Sequence, residues 1–310
     1  MSKKKRILVV LGGASKEREI SLETGLSCIK ALKKLKYKVV KFDPKFSPIS
    51  DLKKKNVDII FNALHGKGGE DGNIQSFFEH IGLPYTHSGP LASMLAMNKD
   101  FSKQLFIKNK ISTPRYFYLN KINFTKKNIK KKIKNNKLKF PIVIKPNDEG
   151  SSIGVSICKN YKSLNNSFNK LKNKYDDLIF ENYVPGKEIQ VANIGNKAIG
   201  AIELKPKRKF YDYHAKYKKS SKTQHIMPAN ISKKKYSEVL KISKKANKIL
   251  NCKGITRCDF RFHEGKFYLL EVNTQPGMTS LSLVPEIAEY NKISFTTLVK
   301  WMVNDAGLNR

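Results

Sequence analysis

Two stretches near the end of the chain hold the residues best suited to chemistry. In "LLEVNTQPGMTS" (Leu269 to Ser280) an apolar, strand-like run acquires a carboxylate at Glu271 and an amide at Asn273, then breaks at Pro276-Gly277. In "GITRCDFRF" (Gly254 to Phe262) Arg257 and Asp259 repeat the same two-residue spacing. Residues two apart in a strand share a face. Glu271 and Asn273 therefore point together, with Leu270 and Val272 in the core, and Arg257 and Asp259 point together, with Phe260 and Phe262 opposite. If the two strands pair antiparallel, an arginine, two carboxylates and an amide meet on one surface. Oxygen-only ligands of this kind suit Mg2+, which keeps several waters and prefers carboxylates plus substrate phosphates. A solvated face with cross-strand ion pairs is the plain alternative for any single pair of charges; three oxygen ligands beside a Pro-Gly turn favour the metal.

Such a metal implies phosphates, and "FPIVIKPNDEGSSIGV" (Phe140 to Val155) offers a place for them. Lys145 ends an apolar strand and a Gly/Ser loop follows. Small residues let backbone N–H groups approach an anion, and a lysine adds a compact positive charge. The spacing is not the Walker pattern and a strand follows instead of a helix, which excludes a P-loop. Taken alone, "GSSIG" reads equally well as a hairpin turn. The four cysteines (Cys28, Cys158, Cys252, Cys258) are scattered, and Cys252, Cys258 and His263 fit no familiar zinc spacing. Free thiols in a reducing compartment are expected.

These residues need a scaffold, and 310 residues suffice for two or three domains with a sizeable core. The first hundred alternate as strand and helix. "RILVVL" and "VDIIFNALHG" are apolar runs of buried-strand length, "YKVVKFD" is another strand, Leu22, Leu26, Ile29, Leu32 and Leu35 share one helical face, and Ile74, Phe77, Phe78 and Ile81 mark a second helix. This predicts a doubly wound parallel sheet with loops at the strand C-termini. From about Pro114 short strands dominate, among them "RYFYL", "LIFENYV", "EIQVANIG" and "AIGAIEL", with helices near 124–135 and 161–174. A polar, glycine-free segment follows within 205–230, of a length typical of lids and binding loops. Helix 232–250, the two strands already described and a last helix from about Pro285 complete an α+β region.

Composition sets further limits. The opening "MSKKKRILVVLGG" has an apolar run too short for a signal peptide. No stretch reaches the ~18 consecutive apolar residues of a membrane span, so a cytoplasmic protein is expected. Lys+Arg number 61 against 25 Asp+Glu, a formal net charge of +36. That balance would suit a nucleic-acid binder. The lysines are spread along the chain, however, and the densest run, Thr125 to Lys139, keeps Ile129 and Ile133 at helical spacing. It reads as a solvated helix face with an apolar stripe behind it, and no dedicated nucleic-acid partner is expected.

Together "LGGASKEREISLETG", "ALHGKGGEDG", "IVIKPNDEGSSIGVS", "FYDYHAKY" and "EVNTQPGMTSLSLVP" resemble, in order, the signature segments of the D-alanine:D-alanine ligases of the ATP-grasp superfamily, from near residue 7 to about 300. The resemblance implies an N-terminal Rossmann-like domain (1–96), a central ATP-grasp subdomain (97–186) and a C-terminal one (187–310) with a lid loop at 205–230, ATP lying between the last two. It implies ATP and two Mg2+ ions, with Mn2+ able to substitute, bound by Asp259, Glu271 and Asn273. Lys99, Lys145 and, on lid closure, Lys216 would meet phosphates; Glu181 to Val184, including Tyr183, and Glu188 would hold adenine and ribose. Glu17 would receive the ammonium of the first D-alanine and Ser282 the carboxylate of the second. Ser151 and Tyr217 would link Glu17 to the lid, and Arg257 with the Gly277 N–H would stabilise an oxyanion. His65 would contact substrate, and a homodimer is the expected assembly. Two positions depart from the family's habit: His214 stands where an acidic residue is common, and Tyr183 where a larger aromatic is. Plainer roles exist for several of these residues, Glu17 as a first-turn helix charge and Ser282 as a helix-start residue. Two rival functions remain at this point, an ATP-grasp ligase of another carboxylate and amine, and a basic binding module.

Overall fold

The computed structural model describes residues 5–206 and 223–310. Near the N-terminus the apolar runs form a parallel sheet of β1 (Arg6–Val10), β2 (Lys38–Phe42) and β3 (Ile59–Asn62) in the order β2-β1-β3. Strand alternation sends Ile7 and Val9 to one side, against Ile29 and Leu32 of α1 (Arg18–Lys34). Leu8 and Val10 go to the other, against Ile74 and Phe78 of α2 (Asn73–His80). Both faces are covered, as a parallel sheet requires.

A second sheet, all antiparallel, has the order β4-β7-β5-β6 and comprises β4 (Tyr116–Asn120), β5 (Ile142–Pro146), β6 (Ser156–Cys158) and β7 (Asp177–Asn182). Two helices back it, α5 (Lys126–Asn135) and α6 (Tyr161–Leu171). In α5 the Thr125 hydroxyl accepts from the Asn128 N–H as N-cap, while Ile129 and Ile133 enter the core. The lysine-rich run is thus the solvated helix expected of it.

The third sheet runs β10-β9-β8-β11-β12, from β8 (Lys187–Ile194), β9 (Lys197–Lys205), β10 (Gln224–Ile226), β11 (Ile255–His263) and β12 (Lys266–Asn273). One face packs on α4 (Lys99–Lys108) and α7 (Lys233–Ile249). On the other, Ala192, Ile202 and Ile255 join Leu283 and Ile287 of α8 (Leu283–Tyr290), Leu298 and Met302 of α9 (Phe295–Asp305), and the α1 side of the first sheet in one continuous core.

Three local features differ from the sequence expectation. The stretch between the first and second sheets forms two helices, α3 (Pro90–Met97) and α4. The last helix is two, since the chain turns through Lys292 at φ 62 and Ser294 caps a new helix by accepting from the Thr297 N–H. In β12 the pairing steps from Asp259↔Glu271 to Phe260↔Leu269, so Leu270 is an extra residue in a β-bulge. The bulge reverses the alternation N-terminal to it: Leu269 is fully buried, whereas Leu270, expected in the core, lines a cleft.

Candidate active site

The antiparallel register of β11 and β12 sets Arg257 opposite Asn273 and Asp259 opposite Glu271. Directly opposed residues share a face, so the four polar side chains stand as a square on one surface. Arg257 holds Asp259 by a two-pronged contact, Nε to Oδ1 at 2.7 Å and Nη2 to Oδ2 at 2.9 Å. Asn273 Oδ1 accepts from the Gln275 N–H at 2.8 Å, which fixes the amide's oxygen where the strand ends. That surface forms one wall of a cleft between the second and third sheets.

Two lysines meet that wall, one from α4 beside the third sheet and one from the second sheet. Lys99, at the first position of α4, is buried; its Nζ donates to the Glu149 carbonyl at 2.6 Å and lies 3.6 Å from Glu271 Oε2. Lys145, next to the last residue of β5, donates to Glu181 Oε1 at 2.5 Å. The loop after β5 is too long for a tight hairpin turn, although β5 and β6 do pair antiparallel. It is tied outward to the N-terminal region: Lys16 donates to Glu149 Oε1 at 2.6 Å, and Lys67 lies 2.7 Å from Asp148 Oδ2.

Glu181, Tyr183, Val184 and Glu188 line the far end of the same cleft. Arg261, which the sequence reading passed over, organises this end. It donates to the Val184 and Gly186 carbonyls at 3.0 and 2.7 Å, pairs with Glu188 at 3.4 Å and lies over the Tyr183 ring. Its place two residues beyond Asp259, on the same strand face, was the available signal. Burial pushes the Glu181 carboxyl up, but Lys103 and Lys145 outweigh it and hold the group below the usual carboxylate range.

Beyond Lys99, Glu149 and Glu271 the cleft continues into a smaller hollow bounded by Glu70, Gly150 and Asn273. Here Glu17, at the N-cap position of α1, makes no side-chain cap to its own helix; Ser151 donates to its Oε1. The loop reaches that contact with Ser151 at φ 50. A Cβ on Gly150 would lie 3.0 Å from Glu17 Oε2 and 3.4 Å from Glu70 Oε1, so a side chain there would press on both carboxylates. Glu70 stands in the "LHGKGGED" stretch but was given no role from sequence. Burial, then the nearby Glu17 charge, pushes its carboxyl up to about 8.

His65 is buried behind this hollow, and burial pushes its imidazole down to about 4, so it is neutral at pH 7. Its Nε2 lies 3.1 Å from Thr24 Oγ1. Thr24 already accepts from the Met278 N–H at 3.2 Å. The network links His65 to the segment after Gly277. A Cβ on Gly277 would come within 2.9 Å of Ser282 Oγ, so the two residues pack directly. Ser282 sits at the N-cap position of α8 but does not cap it; its hydroxyl accepts from the Thr279 N–H at 2.9 Å. Gln275 pins the strand end to the first sheet, accepting from Asn62 Nδ2 at 2.9 Å and donating to the Leu64 carbonyl. Lys216, Tyr217 and His214 lie outside the described residues.

Residues 105–304 match the family described as D-ala D-ala ligase C-terminus, and residues 44–88 the family described as D-ala D-ala ligase N-terminus. The D-alanine--D-alanine ligase of Pelagibacter ubique (strain HTCC1062) is 52% identical over 306 residues, 99% of each chain. That of Wolbachia sp. subsp. Brugia malayi (strain TRS) is 41% identical, covering 97% of this chain and 92% of the relative. Among solved structures, the D-alanine--D-alanine ligase of Bacillus anthracis complexed with ATP superposes with a TM-score of 0.85 at 32% identity, covering 98% of this chain and 97% of its own. The VanG D-Ala:D-Ser ligase of Enterococcus faecalis superposes with a TM-score of 0.85 at 25% identity, covering 97% and 99%.

Proposed function

The chain belongs to the D-alanine–D-alanine ligase family, and from that premise we propose how its cleft joins two D-alanine molecules at the expense of ATP, for peptidoglycan precursor synthesis. The observation that carries the reading is the continuity of the cleft. One end has the pocket of Glu181 to Glu188, the middle has Lys99, Lys145, Asp259 and Glu271, and the other end has Glu70, Gly150 and Asn273, with Glu17 and Ser151 beside them. ATP laid along it puts its base at the Tyr183–Val184 end and its γ-phosphate toward the hollow.

Mg2+ fits the residues present. Among the described residues no three His, Cys, Asp or Glu side chains gather as a metal site. The chain offers two carboxylates and one amide oxygen, a short donor set that leaves coordination for phosphate and water, as Mg2+ prefers. Buried Gln190, the register partner of Asp259, carries a side-chain oxygen without a hydrogen-bond partner among the described residues, an acceptor that a metal-bound water would satisfy. Asp259, Glu271 and Asn273 would hold the metal, Mg2+ or Mn2+, which when bound offsets charge on the phosphates.

In this reading Glu17 receives the ammonium of the first D-alanine and turns its carboxylate toward the γ-phosphate; attack yields an acyl phosphate and ADP. Lys99 and Lys145 supply fixed positive charge to the transferring group. Ser282 orients the second D-alanine by its carboxylate. Its amine attacks the acyl carbon, and the tetrahedral oxyanion is met by Arg257 and the Gly277 N–H before phosphate leaves. Neutral His65 acts as a hydrogen-bonding neighbour of substrate. Lys216 and Tyr217 in the lid complete the closure that keeps water from the acyl phosphate; for them the argument is the sequence resemblance alone. Units at 1–96, 97–186 and 187–310 with a lid at 205–230, a cytoplasmic location and a homodimer belong to the same proposal. The large apolar Leu91 and Met94, exposed on α3, are candidates for the dimer surface.

The test is a coupled ADP-release assay. ADP should appear only with D-alanine and Mg2+ together, with D-alanyl-D-alanine as product and D-serine as the competing acceptor. Asp259→Asn and Glu271→Gln should each lower turnover about a hundredfold or more with the fold intact by circular dichroism. Near-normal turnover in either variant would sink the metal assignment.

A further inference from the structure

Arg18 and Asp43 have no part in the scheme above, yet they meet on the glycine turn that leads into it. β1 and β2 are parallel neighbours, so their carboxyl ends lie side by side, with Gly12 and Gly13 following one and Asp43 the other. Asp43 is fixed by its own turn: its Oδ1 accepts from the Lys45 N–H at 2.9 Å and its carbonyl from the Phe46 N–H at 3.1 Å. Arg18, the first residue of α1, reaches it with a two-pronged contact, Nη1 to Oδ1 at 3.2 Å and Nη2 to Oδ2 at 2.8 Å. A paired fork of this kind sets direction as well as charge. The guanidinium lies over the Phe46 ring, 5.3 Å from its centre.

The ion pair holds Gly13 by both of its polar groups. The Gly13 N–H donates to Asp43 Oδ1 at 3.0 Å, and Arg18 Nη1 donates to the Gly13 carbonyl at 2.7 Å. It also fills the space beside Gly12, where a Cβ would run into Asp43 Oδ2 and lie 2.6 Å from Arg18 Nη1. Both glycines have positive φ, 83 and 73. The pair that rests on this turn thus accounts for the Gly-Gly of "LGGASKER". Burial pushes the Asp43 carboxyl up, but Arg18 and the Lys45 and Gly13 N–H groups outweigh it and hold the group below the usual carboxylate range.

Because Arg18 is tied to Gly13, the residues between them, Ala14 to Glu17, form a loop closed on itself. Inside it Ser15 Oγ donates to the His65 carbonyl at 2.6 Å and accepts from the Glu17 N–H at 3.1 Å. Closing a loop removes alternative conformations before a ligand arrives. We propose that Arg18 and Asp43 are positioning residues for the first substrate: by closing the turn from Gly13 to Arg18 they hold the buried Glu17 carboxylate where the ammonium of the first D-alanine is received. The proposal rests on the reading of Glu17 as that ammonium's partner.

The experiment measures the two KM values for D-alanine and the KM for ATP in the wild type, Glu17→Gln, Arg18→Met, Arg18→Lys and Asp43→Asn. Glu17→Gln identifies the D-alanine KM that belongs to the Glu17 site, since loss of the charge should raise that one selectively. In Arg18→Met the same KM should rise about tenfold, with the other D-alanine KM and the KM for ATP within about twofold of the wild type. Arg18→Lys, which keeps the charge but not the fork, should recover part of the loss. An Arg18→Met enzyme with the wild-type KM at that site overturns the proposal. So does one in which all three KM values rise together or only kcat falls, the pattern of a merely structural role. If Glu17→Gln leaves both D-alanine KM values unchanged, the Glu17 reading fails and the proposal with it; a raised KM in Glu17→Gln beside an unchanged one in Arg18→Met refutes the proposal alone. Should Arg18→Met fail to fold, Asp43→Asn, which keeps the shape and an acceptor for the Gly13 N–H but loses the charge, should raise the same KM about threefold, and an unchanged value there counts against the proposal.

Discussion

Glu17 and Glu70 approach a common point beside Gly150, and two buried carboxylates that close do not both ionise readily. The consequence is a pH dependence whose sign can be worked out. Glu70 is raised to about 8 in the folded chain from an ordinary value of 4.5, by burial first and by Glu17 second. Between those values the folded protein holds a proton that the unfolded chain has released, so this stabilising contribution is complete below about 4.5 and is lost as pH rises through 8. Glu70→Gln should therefore gain melting temperature relative to the wild type as pH is raised from 5 to 8.5, measured by calorimetry without nucleotide or D-alanine. A difference that stays constant with pH would mean that Glu70 is ionised in the folded protein.

At the scale of elements, α4 shows where sequence reading succeeds and where it stops. Apolar periodicity located α1 and α5 through Ile29 and Leu32 in one and Ile129 and Ile133 in the other, although in α1 Leu26, expected on the buried face, is exposed while Ser21 and Thr24 are buried. In α4 the buried residues include Lys99, Asp100, Ser102 and Lys103, while Phe101 and Ile107 are exposed. The helix turns its polar side inward because that side serves the cleft, and a search for an apolar stripe passes over it. In α3 small residues, Ala92, Ser93 and Ala96, face inward and Leu91 and Met94 outward, which hides it in the same way. The square of Arg257, Asp259, Glu271 and Asn273 was legible because two-residue spacing survives C-terminal to the bulge; Leu270, at the bulge, was misplaced because period-2 alternation carries no sign of an inserted residue. Gln275 was in view but silent, since its partners Asn62 and Leu64 lie some two hundred positions away in the chain. Gln275→Leu leaves Asn62 Nδ2 and the Leu64 carbonyl short of a buried partner and should lower unfolding stability by roughly 2 kcal/mol. The same change should lower kcat more than it raises the KM for ATP, because the segment it pins carries Gly277, away from the base. Denaturant unfolding and steady-state kinetics on one preparation would check both, and unaltered stability would show that the pin is not needed.

Across the whole molecule the excess of positive charge resides mainly on solvated surfaces such as that of α5, where Lys130, Lys131, Lys132 and Lys134 surround an apolar stripe of Ile129 and Ile133. Replacing these four lysines by glutamine should leave kcat/KM within about twofold, since exposed charges far from a site act through a screened field. A large loss, or a steep salt-dependent affinity for nucleic acid in the wild type that disappears in the variant, would return the basic-module reading to consideration. The continuous core under the first and third sheets bears on the molecule differently. Ile7, Val9 and Phe61 from the start of the chain pack into one apolar body with Ile202, Ile255, Leu298 and Met302 from its second half. A chain severed at the proposed unit boundary after residue 96 would thus not yield two autonomous modules. Each fragment would carry half of an unfinished interior, and activity would return only through complementation of the pieces, as in a split reporter. Recombination among relatives meets the same constraint: an exchanged first segment succeeds only where its inner face matches the terminal helices it inherits.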